Sequence, residues 1–594
     1  AGTGYRIRIV SSNPAITSAD NGTDLIINHI VNVSNPLTAP NDSEIAVSWT
    51  NPSSCFDEIL VVASTSSTFQ NPFGSGGPYT ANAVFGSGSP LLSSGYVVYS
   101  GTGTSVTVSG LTNDSTYCFK IFTRFGSYWS DGVQVCDIPS LLPVEVANAH
   151  VNSNGFYLTL KDAFDAINAE TQPANAIEVR IHGSTTETAS AILNEGTWTT
   201  LSIYPTSADL TISGDLSGTA SIVLLDGADN VIIDGRVNQT GTTPSLTIQN
   251  TVSGFADAIR FQNAAENNAI KYSNIKAANT GTTSGIITFS TSTSGNGNSN
   301  NTIEYNNISG FSDAEVGRCT NAIYSGGSVG YVNSNNLISN NNIFNHHRLA
   351  ASSQGVHIAG YSSNFTISGN SFYETTALEF TGTAATLQSI YVANHLGDGY
   401  VTISGNYFGG QAPQCGGNKL TLTDNGTARS ISYNPIWINS TGLTTQSDIL
   451  NNTIANVDIT RTTNSNPFRG IYANVGLGSA ANRSNIGNII GNIIGAATGT
   501  GSISINTDHG GTGVQNVYGL QIGLNNLAGS PVHPHTHHIS NNVIGSITLS
   551  GAVNNRPYFL GMVISGGFVS GTDSTQAFVE NNLIGSLSTA NSIN

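Results

Sequence analysis

"HHISNNVIGSI" spans His537–Ile547 and "AFVENNLIGSL" spans Ala577–Leu587. Each reads as a short strand, a pair of asparagines, an apolar pair and then Gly-Ser. Related phrases occur upstream, so that Asn274, Asn307, Asn342, Asn370, Asn406, Asn452, Asn492, Asn542 and Asn582 recur at intervals of 33, 35, 28, 36, 46, 40, 50 and 40 residues. A second short strand precedes each phrase, among them "NAIY" at 321, "GVHI" at 355, "PIWIN" at 435 and "GIYAN" at 470. Self-similarity at 20–50 residues marks a solenoid, a propeller or another array.

The period of the apolar residues decides among these. "NFTISGN" and "YVTISGN" put Phe365 with Ile367, and Val401 with Ile403, on one face. That is the period of two of a strand, not the i, i+3, i+4 spacing of a helix. The strands are too short and the loops too uneven for four-stranded propeller blades. The expected fold is all-β: a right-handed parallel β-helix over residues 176–594. In such a coil an inward asparagine at a fixed corner hydrogen-bonds to its copies above and below. The nine asparagines are therefore expected to form a ladder.

Upstream the pattern changes. Residues 1–35 hold two strands, "GYRIRIV" and "TDLIINHI", read as a hairpin of a partial β-sandwich or linker. Residues 36–142 read as a complete small sandwich. Val47 and Trp49 share a face in "EIAVSWTNP", and Leu111 precedes Tyr117 by six positions before an alternating strand. This resembles the tyrosine corner and core tryptophan of fibronectin type III domains. The hairpin after Tyr117 turns at Gly126-Ser127, the midpoint between Cys118 and Cys136, so a symmetric turn puts these two opposite each other within disulfide range; Cys55 is the competing partner. Cys319 and Cys415 read as buried thiols. Residues 143–175 hold a helix, "TLKDAFDAIN", with Leu160, Ala163, Phe164 and Ile167 at helical spacing and Thr159 with Asp162 as a capping-box pattern. It is expected to cover the open end of the coil stack.

The run from that helix through "LDGADNVIIDGR" to the asparagine-rich coils resembles the pectate-lyase-like β-helix regions of large secreted proteins of Bacteroidetes-type bacteria, in which fibronectin-like modules and β-helices alternate. The resemblance covers roughly residues 145–594 and implies an extracellular or cell-surface location and, for many such proteins, export by type IX secretion. The chain carries no recognisable sorting domain of that system.

Composition narrows the function. Charged residues make up only 9% of the 594, with 18 Lys plus Arg and a net charge of −17. Nucleic acid is not an expected partner, because phosphate contacts need Lys and Arg. No apolar stretch approaches the ~20 residues of a spanning helix, so membrane insertion is not expected. A glycosidase needs two carboxylates flanking the scissile bond. The nearest pairs, Asp313/Glu315 and Glu374/Glu379, read as solvated loop charges, with Arg318 as a surface ion-pair partner of the first. "PVHPHTHHIS" places His533, His535 and His537 on one side of an extended strand, a weak transition-metal candidate. Tyr391, Tyr407, Phe408 and Trp437 read as scattered over different coils.

The main expectation is a non-catalytic structural or adhesive segment of a large extracellular or cell-surface protein. It needs no cofactor, and its partners are other segments of a longer chain, neighbouring copies, glycans or cell-surface molecules. One alternative is a carbohydrate-active or carbohydrate-binding β-helix. Another is a protomer of an extracellular fibre, suggested by a first hairpin without packing strands and by the missing cap after the last coil.

Overall fold

The computed structural model describes all residues except 1, 28–29, 55, 75–78, 92–94, 294, 394–398, 425–429, 440–444, 461–463, 476–482, 508–513, 526–534, 552–556 and 568–574. Cys55 and His533 thus lie outside the described residues. The chain divides into two compact units, Ala1–Leu142 and Pro143–Asn594.

In the first unit, Gly2–Tyr5 pairs antiparallel with Leu25–Ile27, and Val10–Ser12 with Ala15–Thr17. Next come two antiparallel sheets. One joins Ser34–Asn41, Glu44–Thr50 and Ser105–Ser109; the other joins Tyr96–Gly101, Glu58–Ser64, Tyr117–Phe125, Val133–Asp137 and Tyr128–Trp129. Alternation in both sheets sends Val47, Trp49 and Val108 from one, and Ile59, Val61, Phe119 and Ile121 from the other, into a single buried cluster. The Tyr117 hydroxyl accepts the Thr112 N–H at 3.1 Å, tying the preceding loop to its strand. Cys118 and Cys136 face each other in register and are disulfide-bonded.

In the second unit, Val144–Ala147 pairs antiparallel with both Gly155–Tyr157 and Ala176–Ile181. Between them runs α1, Leu160–Asn168, whose N-cap Thr159 accepts the Asp162 N–H. The Glu187 carboxylate accepts two further N–H groups of its first turn, from Leu160 and Lys161. These oxygens satisfy donors that a helix start leaves unpaired. Leu160, Ala163, Phe164 and Ile167 of α1 join the same apolar cluster as the coils.

From Ala176 onward the pairing is parallel, starting with Ala176↔Thr200. Three long sheets run along the coils: from Ala176–Ile181 to Thr575–Glu580, from Thr185–Glu187 to Leu583–Ile584, and from Ala191–Asn194 to Pro557–Gly567. A shorter fourth sheet begins at Leu378–Phe380 and ends at Ile547–Ser550. This is a parallel β-helix. Its interior stacks like on like: Ile270, Ile303, Ile338, Ile367, Ile403 and Ile449 follow each other in register and are fully buried. Each such side chain contributes roughly 1.5–3 kcal/mol by leaving water.

The asparagine pairs have a division of labour. The first of each pair turns the corner with positive φ: Asn340 at 54°, Asn451 at 54°, Asn541 at 61° and Asn581 at 55°, with Gly369 and Gly405 in the same place at 67° and 65°. Asparagine tolerates this left-handed region better than most residues, and glycine enters it freely. The second points inward. Asn306, Asn341, Asn370, Asn406, Asn452, Asn492, Asn542 and Asn582 form one continuous ladder, each Nδ2 donating to the next Oδ1 at 2.9–3.1 Å.

Three of the nine sequence assignments need correction. Asn274, Asn307 and Asn342 sit one residue past the inward position, on the outer face, half-buried, in a separate row joined by 2.9 Å hydrogen bonds between side-chain amides. The inward positions of those coils are Ser273, Asn306 and Asn341. Counting back two residues from the buried apolar position, as in Asn306–Ile308 and Asn452–Ile454, identifies the ladder member. Choosing the second of several consecutive asparagines does not. A further inward pair of rows, Asn268–Asn301–Asn336 and Asn298–Asn333, had no recognised signal in the sequence.

Candidate ligand-binding face

The sheet that starts at Ala191–Asn194 carries the most distinctive surface. Its strands alternate inward aliphatics with outward aromatics, half-buried from His357 to Tyr472, while Tyr324 at the head is itself buried. Tyr324, His357, Tyr391, Trp437 and Tyr472 are successive register partners on five coils. Ring centroids follow one another at 5.2, 4.9, 5.7 and 5.0 Å. Tyr391 and Trp437 are therefore consecutive members of one row, not scattered positions. Phe408 lies in the core, stacked on Phe372 at 5.0 Å, and Tyr407 belongs to another sheet.

A second row, three residues earlier in the chain on each coil, runs beside the first. Asn321, Gln354 and Gln388 are register partners, and the Gln354 Nε2 donates to the Gln388 Oε1 at 2.9 Å. Asn434 and Arg469 continue it, with Arg469 Nη1 donating to Asn434 Oδ1 at 3.3 Å. Asn321 Oδ1 lies 3.1 Å from His357 Nδ1. Trp437 Nε1 donates to Asn439 Oδ1 at 2.7 Å, and Asn439 Nδ2 donates to the Tyr391 hydroxyl at 3.2 Å. The Arg469 guanidinium lies 5.9, 4.9 and 5.9 Å from the ring centres of Trp437, Tyr472 and Tyr518. Burial lowers its pKa from the ordinary arginine value. The aromatic row is thus oriented by amides and backed by a cation.

At the head of the amide row stands Asp257, 1% exposed. Its Oδ1 accepts from Asn279 Nδ2 at 2.5 Å. Arg260 Nη2 forms an ion pair with Oδ2 at 2.6 Å. Burial outweighs Arg260 and pushes the carboxyl up to about 7, from an ordinary 3.8. The folded chain therefore holds this proton more tightly than the unfolded chain. The stabilising contribution is full below pH ~4 and is lost as pH rises through about 7, on the order of a few kcal/mol. Asp257→Asn should flatten this part of the stability profile. Thermal unfolding of both proteins between pH 4 and 8 checks it; parallel profiles would contradict the assignment.

A second surface lies on another sheet. Tyr272 and Tyr305 stack face to face at 4.9 Å and 6°, with the Arg236 guanidinium 4.4 Å from the Tyr272 ring centre. They border a groove of about 350 Å³ lined also by Asn307, Asn340 and Asn342.

The acidic residues are not arranged as the sequence suggested. Glu374 is no solvated loop charge: it is fully buried, and its Oε2 accepts from Arg318 Nη1 at 2.6 Å. Arg318 is no surface partner of Asp313 and Glu315: its side chain is 1% exposed, and it meets Asp313 only at the main-chain carbonyl. Glu315 instead pairs with Arg348 at 2.7 Å. Ion pairs 56 residues apart in sequence cannot be read from local spacing. Glu379 is exposed.

Of the histidine cluster, His537 is 1% exposed, and its Nδ1 lies 2.8 Å from Ser484 Oγ inside the coil. His538 faces outward, stacked on Phe578 at 5.0 Å. The side chain of His535 is outside the described residues, as is His533. Cys319 is buried, and Cys415 is partly so. Burial raises both thiols, to about 12 and about 11, which suppresses thiolate reactivity.

No protein-family model and no curated protein matches the chain. Among solved structures, a family 28 exopolygalacturonase from Yersinia enterocolitica matches with a TM-score of 0.20 at 10% identity, covering 93% of this chain and 99% of that one. A pectate lyase from Pectobacterium carotovorum matches with a TM-score of 0.13 at 10% identity, covering 66% of this chain and 90% of that one.

Proposed function

We propose that the chain is a carbohydrate-binding β-helix of an extracellular or cell-surface protein, holding an extended glycan along the Tyr324–Tyr472 row without cleaving it. The observation that carries this reading is the in-register run of five rings on successive coils. Parallel strands repeat every ~4.8 Å, so the half-buried rings from His357 to Tyr472, tilted 39°, 66° and 50° to one another, offer a series of apolar contacts to the C–H groups of successive sugar residues. Tyr hydroxyls, the Trp437 surroundings and Arg469 supply polar partners at the edges, the mix of apolar surface and few polar groups that ligand sites use. A surface poor in charge suits a neutral or weakly acidic glycan better than a polyanion. Residues 36–142 are read as a fibronectin type III-like spacer, supported by the Tyr117 hydroxyl bond to the Thr112 N–H. The coil is read as right-handed, the hand taken by nearly all parallel crossover connections. Adhesion, with neighbouring copies or further segments of a longer chain as additional partners, is the role that follows.

Screening the chain on a glycan array, followed by calorimetry with the best hit, tests the reading. Trp437→Ala should weaken binding about 30-fold, roughly 2 kcal/mol for an aromatic anchor. Tyr407→Ala, on a different sheet, should leave it unchanged. Equal loss in both variants, or no glycan bound, would sink it. New reducing ends or unsaturated products released from the bound glycan would replace it by the carbohydrate-active alternative.

A further inference from the structure

Beside the Arg318–Glu374 pair lie His346 and His347, 1% and 0% exposed. They follow strand Asn342–Phe344 on one coil, and Glu374 follows Ser371–Tyr373, its register partner, on the next. One ligand-type atom from each of the three residues lies within 4.8 Å of the others. The imidazole centroids are 4.1 Å apart, and His346 Nδ1 is 3.7 Å from Glu374 Oε1.

Three of the four ring nitrogens there lack hydrogen-bond partners. Neither ring nitrogen of His346 makes a hydrogen bond, and neither does Nε2 of His347. An orphaned buried polar atom is costly, and side chains of similar size without nitrogen would fill the space at no such cost. The carboxylate, by contrast, is firmly held. Its Oε1 accepts the main-chain N–H groups of His346 and His347 at 3.1 and 2.9 Å, and its Oε2 accepts from Arg318. A ligand oxygen oriented by outer hydrogen bonds, facing three unpartnered imidazole nitrogens, one ring of which is held from behind by Ser353 Oγ at 3.3 Å, is the arrangement found around bound metals.

We infer that His346, His347 and Glu374 form a structural site for a first-row transition dication, with Zn²⁺ the best match. Two imidazoles and one carboxylate suit zinc, whereas calcium and magnesium take oxygen ligands almost exclusively. The site is closed to solvent and links two adjacent coils through side chains, adding a covalent-like clip to hydrogen-bonded strands. It stands apart from the aromatic row and does not depend on the glycan reading.

The test uses the untagged full chain. Metal analysis of protein purified without chelators should find about one equivalent of zinc or a neighbouring metal per chain. Wild-type protein stripped with a strong chelator should unfold at a lower temperature. It should then take up one Co²⁺ with visible absorption bands that added Zn²⁺ abolishes. His347→Ala and Glu374→Gln should lose this uptake, while His538→Ala keeps it. The proposal is overturned if stripped, folded wild type binds neither Co²⁺ nor Zn²⁺ stoichiometrically, or if His538→Ala is the variant that loses the metal. The wild-type arm decides the matter even if the ligand variants fail to fold.

Discussion

Arg318→Met should destabilise the β-helix by about 3–5 kcal/mol, the cost of breaking a buried ion pair from one side. The guanidinium donates to Glu374 Oε2, to the His347 carbonyl at 2.7 Å and, through Nε, to the Asp313 carbonyl at 2.9 Å. Removing it leaves a fully buried carboxylate without its counter-charge, and two carbonyls without donors. Burial already raises the Glu374 pKa, and Arg318 is the first of the influences that hold it down. Without Arg318 the carboxyl would take up a proton rather than stay charged. The double variant Arg318→Met/Glu374→Leu should recover part of the loss, because no lone charge remains. Recovery stops short of complete, since the N–H groups of His346 and His347 lose their acceptor. Denaturant unfolding of chelator-treated wild type, both single variants and the double variant measures the coupling. Additive losses would show that the pair is not coupled in this way.

How far the sequence reaches can be read from particular residues. The coil architecture is legible because it is written in short-range terms: alternation around Ile367 and Ile403, corner residues with tolerated positive φ, and a repeated phrase. α1 is legible for the same reason, from Thr159 and four spaced apolar residues. The in-register contacts are harder. Trp437 and Tyr391 meet only because the intervening loops, of unequal length, return the chain to the same face. Nothing local to either residue says so. Aligning the second strand phrases on their central Ile or Val would have exposed the row, since Tyr324, His357, Tyr391, Trp437 and Tyr472 each follow that residue directly. The buried Arg318–Glu374 pair is illegible on principle. Charges are read as solvated by default, and only the fold shows that a loop folds inward to bury both.

Asn406→Leu should be comparably damaging, about 3–6 kcal/mol, and far worse than the same change in the outer row. The inward amide of Asn406 is used completely. Its Oδ1 accepts from both the N–H and the Nδ2 of Asn370 at 3.0 Å, and its Nδ2 donates to the Ile367 carbonyl at 2.8 Å and to Asn452 Oδ1 at 3.0 Å. Leucine has similar bulk but makes none of these bonds. The main-chain N–H of Asn370 and the carbonyl of Ile367 are then orphaned in a region closed to water, at roughly 1–3 kcal/mol for each group left wholly unpaired, while Asn370 Nδ2 keeps the Ile338 carbonyl and loses its other acceptor. Asn452 Oδ1 keeps the Asn406 main-chain N–H and is only partly deprived. Asn406→Asp should hurt as well, because a carboxylate cannot donate to Ile367 or Asn452 and would place negative charge among acceptor oxygens. Asn307→Leu is the matched control: Asn307 Nδ2 donates to Asn274 Oδ1 and its Oδ1 accepts from Asn342 Nδ2, but on a half-buried face where water can replace both partners. Its cost should stay below about 1 kcal/mol. Calorimetric unfolding of the three variants separates the two rows. Similar losses at Asn406 and Asn307 would mean that the inward ladder holds the coils together no more than the outer one does, and that apolar stacking alone fixes the register of this β-helix.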